Sequence, residues 1–78
     1  MPFNGVVLPN LKATRLRRAM TQAELARAAG IALGTLARIE TGAPAAPSTI
    51  RKLSGALNVS PDTLMAPVPG TQGKAEAA

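Results

Sequence analysis

The sequence predicts an all-α domain built from five short helices. Three observations carry this. Every strong apolar position beyond residue 9 falls into a helical stripe. Thr21 and Glu24 are spaced T-x-x-E, the pattern of a capping box, in which each side chain satisfies the other residue's free amide. Gly30 and Gly42 stand where two helices have to stop in the left-handed conformation.

Taken in order, the first helix is expected over about Leu11 to Ala19, with Asn10 as its N-cap after Pro9. The second starts from Thr21 and places Leu25, Ala26 and Ala29 on one face before Gly30. The third begins near Leu33 and ends before Gly42, with Leu36 and Ile39 as its inward pair. Ala43–Pro47 contains two prolines and reads as a loop. Ser48 is expected to cap a fourth helix whose stripe is Ile50, Leu53, Ala56 and Leu57, stopped by Asn58. Ser60, Pro61 and Asp62 open a short fifth helix carrying Leu64 and Met65.

The helical domain thus covers residues 10–65. Residues 1–9 form an arm with a short apolar run, Val6 to Leu8, between Gly5 and Pro9. Residues 66–78 contain no leucine or isoleucine and are rich in Pro, Gly, Ala and polar residues. Such a segment buries too little surface to offset its ordering entropy, so it is expected to be a disordered tail.

Composition narrows the function. At 78 residues, one domain is expected. The chain has no cysteine, histidine, tryptophan or tyrosine. Thiolate and imidazole metal sites, thiol nucleophiles and histidine acid–base chemistry are all excluded. The four acids, Glu24, Glu40, Asp62 and Glu76, show no pairing suited to catalysis. The expectation is a protein that is not an enzyme and takes no cofactor or metal. The net charge of +5 points toward a polyanion partner, a nucleic acid or an anionic membrane. No apolar run approaches the ~20 residues of a membrane span. The start lacks the basic region of a signal peptide, so a soluble, cytoplasmic chain with no membrane partner is expected.

Two short helices joined by Gly30 and two further residues, each with a narrow apolar stripe, form a helix-turn-helix. A short third helix with two large inward residues leaves its other face exposed, and such a helix fits the major groove of B-DNA, about 12 Å wide. The stretch LKATRLRRAMTQAELARAAGIALGTLARIETG, followed by IRKLSGALNVSPDTLM, resembles the DNA-binding domain of the lambdoid phage repressors and Cro proteins, the XRE-like helix-turn-helix family. The residues carrying the likeness are Arg15, Gln22, Leu25, Ala26, Gly30, Ile31, Leu36, Ile39, Glu40, Gly42, Leu53, Leu57, Val59 and Leu64, over about residues 10–65.

The resemblance implies a five-helix phage-repressor-like fold and roles position by position. Thr21 and Gln22 open the second helix at the DNA. Gln22 matches a glutamine that bonds a phosphate and braces the recognition helix; read alone, it is an exposed helix-start residue. Arg15 and Glu40 match an ion pair tying the first helix to the end of the third; read alone, they are two surface charges. Leu33, Gly34, Thr35, Ala37 and Arg38 occupy the base-reading face. The chain departs from the pattern here. Ala32, at the N-cap, has no side-chain oxygen, and Leu33 and Gly34 stand where Gln, Arg or Ser are usual. Polar reading falls to Thr35 and Arg38, with Arg38 set against a base, a phosphate or solvent. The loop Ala43–Pro47 carries no basic residue, whereas Lys12, Arg15, Arg17 and Arg18 cluster in the first helix.

The likeness further implies a homodimer on double-stranded DNA with a two-fold operator, acting as a transcriptional repressor. The matching dimer surface comprises Pro61, Thr63, Leu64 and Met65. The arm Phe3–Leu8 either exchanges between subunits, pairs as a two-stranded ribbon, or packs along its own chain. Two rival readings stand beside this one. One is a protein-interaction module that kept the fold with weak sequence reading, which Leu33, Gly34 and the uncharged loop favour. The other is an antitoxin or restriction-control subunit that binds a protein partner through the arm or tail.

Overall fold

The computed structural model describes residues 5–67. Five helices follow one another: α1 (Leu11–Arg17), α2 (Gln22–Ala29), α3 (Leu33–Glu40), α4 (Pro47–Leu57) and α5 (Pro61–Met65). α2 packs against α3 and α4, while α5 bridges α1 and α4. Among the described residues the only β pairing is an isolated antiparallel bridge between Val6 and Ala45.

The core is aliphatic. Leu11, Leu25, Leu36, Leu53, Leu57 and Leu64 are fully buried. Ala26, Ala29, Ile39 and Ile50 complete it from the stripes that the spacing predicts for α2, α3 and α4, and Leu8 and Ala45 add to it. Each leucine removed from water contributes roughly 1.5–3 kcal/mol, which is what holds helices of 5 to 11 residues that would not persist alone.

α1 is shorter than its apolar pattern suggests. It ends at Arg17, and Ala19 takes the left-handed conformation at φ +57°. The amide of Met20 then donates to the Arg15 carbonyl over 3.2 Å, a Schellman closure. Alanine carries no sequence signal for such a turn. Asn10 is the N-cap residue but does not cap with its side chain. Its Nδ2 donates instead to the Thr63 carbonyl at 2.8 Å, and its amide donates to the Leu64 carbonyl at 3.1 Å.

α4 starts two residues earlier than expected, with its N-cap at Ala46 instead of Ser48. Pro47 opens it, and extended Ala46 offers no side-chain cap. Proline has no amide to satisfy and a preset φ, so it suits the first helical position. The second proline of the apparent loop is therefore helix. At the other end Asn58 is left-handed at φ +57°, as a helix-stopping residue should be.

The arm packs along its own chain over residues 5–9. Val6 and Ala45 exchange two hydrogen bonds of 2.9 Å each, and Leu8 is buried. Phe3, the start of the expected arm, and most of the expected tail lie outside the described residues.

Candidate nucleic-acid interface

The turn between α2 and α3 is built as the sequence dictates. Thr21 Oγ1 accepts the Glu24 amide at 3.0 Å, and Glu24 Oε1 accepts the Thr21 amide at 2.8 Å, closing the capping box. Gly30 is left-handed at φ +73°, and the Ile31 amide donates to the Ala26 carbonyl at 3.0 Å. Leu36 and Ile39 bury the inner face of α3. Its outer face is left to solvent: Leu33 is 49% exposed, Gly34 and Arg38 are exposed, and Thr35 and Ala37 are half-buried.

Gly34 has an ordinary helical backbone, and a Cβ added there would meet nothing within 4 Å. Nothing inside the molecule requires glycine at this point, although glycine costs about 1 kcal/mol of helix propensity relative to alanine. The residue lowers the outer profile of α3 where a partner would approach its backbone. Arg38 does two jobs. Its side chain stands free on the surface, and its carbonyl accepts from Thr41 Oγ1 at 2.9 Å and from the Ala43 amide at 3.0 Å. The second of these bonds turns the chain at Gly42, φ +116°.

Arg15 and Glu40 form the brace behind this face. Arg15 Nε donates to Glu40 Oε2 at 2.6 Å and Nη2 to Oε1 at 3.1 Å, a two-pronged pair with both side chains almost fully buried. Arg15 Nη1 also donates to the Met20 carbonyl at 2.8 Å. Gln22 Nε2 donates to Glu40 Oε1 at 3.0 Å. Burial pushes the Glu40 carboxyl up, but the bonds from Arg15 and Gln22 and the charges of Arg15 and Lys12 outweigh it and hold the group below its ordinary value of 4.5. The last turn of α3 is thereby tied to the end of α1 and the start of α2.

The structure brings Thr21, Gln22, Leu33, Gly34, Thr35, Ala37 and Arg38 onto the two helices of one turn, with Arg15 and Glu40 beneath. Of the residues expected at a dimer surface, Pro61 and Met65 are exposed and Thr63 is half-buried. Leu64 is a correction: it has no exposed surface, because it points into the core between α1 and α4. The Gln22 bond to Glu40 of α3 spans 18 positions and is foreshadowed only by the family likeness, in which this glutamine braces the recognition helix. The Val6–Ala45 bridge spans the whole helix-turn-helix and leaves no pattern in the sequence.

These features define a small helix-turn-helix domain. The family model described as Helix-turn-helix matches residues 11–64, and the chain belongs to that family. Its defining unit is a pair of helices, the second of which docks in the DNA groove. The structure of SinR, described as the master regulator for biofilm formation in complex with DNA, is similar at a TM-score of 0.68 and 30% identity, covering 73% of this chain and 94% of that one. The structure of a hypothetical transcription factor, NHTF, from Neisseria is similar at a TM-score of 0.70 and 28% identity, covering 88% of this chain and 78% of that one. No curated protein matches.

Proposed function

We propose that this chain is a DNA-binding transcriptional regulator that represses from a two-fold operator as a homodimer. The observation that carries the reading is α3: a short helix held by two buried residues and a buried ion pair, with Leu33, Gly34 and Arg38 exposed on its outer face. Family membership and the likeness to a DNA-bound regulator support it. In this reading α3 enters the major groove. Arg38 reads guanine in a two-pronged contact, worth about 1–3 kcal/mol of discrimination, and Leu33 meets a thymine methyl. Thr35, Ala37 and the low profile of Gly34 shape the fit, while Thr21 and Gln22 approach the phosphates at the start of α2. Glu40 already takes one amide hydrogen of Gln22, leaving its other N–H and its carbonyl for that contact.

The dimer reading rests on Pro61 and Met65, which line one mostly apolar recess with Val6, Pro47, Ile50 and Arg51. A single α3 covers only a few base pairs, so two copies on half-sites about one helical turn apart supply the affinity.

A second reading is favoured by the tip of α3. Leu33 exposes half its surface and offers no hydrogen bonds, and the following loop carries no charge. Those features suit a protein-interaction module. Selection of bound sequences from random duplex DNA at two salt concentrations separates the two. An enriched two-fold motif, with affinity falling steeply as salt rises, is the expected result. Sequence-blind binding, or none, hands the surface to a protein partner.

A further inference from the structure

The Val6–Ala45 bridge joins the arm to the loop that directly follows the recognition helix. Val6 donates its amide to the Ala45 carbonyl and accepts the Ala45 amide, both at 2.9 Å. Leu8, two residues on, is sunk in the core, and Ala45 is buried beneath the arm. The loop has few other means of staying in place. It carries no charged side chain. Gly42 to the Ile39 carbonyl and Ala43 to the Arg38 carbonyl hold the end that leaves α3, and the Ile50 amide on the Ala46 carbonyl holds the end that enters α4. Between them the backbone of Ala45 bonds only to Val6.

What the loop shapes lies next to the reading face. Ala43, Pro44, Ala45 and Ala46 form one wall of a recess of about 210 Å³, and Thr35, Arg38 and Ile39 of α3 with Thr49 of α4 form the rest. Thr35 and Arg38 are also the polar side chains on the outer face of α3, Glu40 being turned in to Arg15. A shift of Ala45 would change the width of that recess and the space open to the Arg38 side chain.

We infer that the arm is a positioning element of the recognition surface: Val6 and Leu8 hold the α3–α4 loop so that the recess beside Thr35 and Arg38 is formed before DNA arrives. The inference rests on the DNA-binding reading for its effect on affinity, but not for the holding of the loop. Preorganisation matters more here than in a loop rich in cations, because an uncharged wall contributes through its shape and has no long-range attraction to correct a misplaced approach.

The register of the bridge supplies a matched pair of variants. Val6→Pro removes the amide that bonds Ala45. Val7→Pro removes an amide that makes no bond in the bridge, on a residue that faces solvent. Both are made in the full chain, with amide hydrogen exchange at Ala45 and affinity for the selected duplex measured well below either melting temperature. Loss of one hydrogen bond predicts exchange at Ala45 faster by about threefold to tenfold in Val6→Pro. Affinity falls several-fold, while Val7→Pro matches the parent in both. Val6→Ile, which keeps the amide, restores both. Unchanged exchange at Ala45 in Val6→Pro overturns the inference, and so does faster exchange with unchanged affinity. If the parent chain binds no duplex at all, the DNA reading fails, and the exchange at Ala45 alone decides whether the arm holds the loop.

Discussion

Glu40 sits between two opposed effects, and their balance sets its consequences. Burial raises its carboxyl, while Arg15, Gln22 and Lys12 lower it further than burial lifts it. A carboxyl whose folded value lies below 4.5 stabilises the fold fully above pH 4.5, and that contribution is lost as the pH falls through the lower folded value. A melting series from pH 7 to pH 2 should therefore be flat in its upper part and fall in its acid limb. Glu40→Gln should flatten that limb. Glu40→Ala strands Arg15 in a buried site, at a cost of about 3 kcal/mol, which corresponds to roughly 12–24 °C in a domain this small. A melting temperature within a degree or two of the parent would remove the pair from any account of stability. The pair was legible in the sequence through likeness alone, since nothing local links positions 25 apart. Gln22 was legible through the same likeness as a brace of the recognition helix, but not as a partner of Glu40, because an amide at a helix start gives no sign of which atom it meets.

At the scale of the helix, the first four elements close in the same way. A left-handed residue, Ala19, Gly30, Gly42 or Asn58, is followed by an amide that reaches back five positions: Met20 to Arg15, Ile31 to Ala26, Ala43 to Arg38, Val59 to Ser54. Three of these stops were readable, because glycine and asparagine tolerate that backbone. Ala19 was not, and α1 was expected to run through it. The same mismatch makes a prediction. Ala19→Gly relieves the strained backbone and should raise stability by roughly 0.5–1 kcal/mol, whereas Gly30→Ala should lower it by about as much. Chemical denaturation of the two variants checks both signs at once. The start of α4 was misread for a related reason. A serine near a helix start is a strong cue, but Pro47 needs no cap for an amide it lacks.

For the whole molecule, apolar stripes and cap and stop residues were enough to place every helix, because those signals are local. What joins the helices was less visible: the arm on the loop, Asn10 on α5, and Leu64 turned inward instead of toward a second copy. Each depends on which distant surface a residue meets. Two variants test assembly and reading separately. Met65→Lys places a second positive charge beside Arg51 in the recess near α5 and should shift the chain to monomer in sedimentation while leaving its melting temperature within a few degrees. Arg38→Ala should relax base preference at one position of the half-site and cost about 1–3 kcal/mol in affinity, with dimerisation intact. A uniform loss across all sequences would instead make Arg38 a phosphate contact. The bonds from Asn10 to Thr63 and Leu64 carry one more consequence. They stitch the first residue of the helical domain to its last helix, so the two ends of the fold lie side by side. A circular permutant that joins these ends through a short linker, and opens the chain elsewhere, should keep the same topology. By the same geometry, a module grafted at either end would sit at one common doorway of the domain.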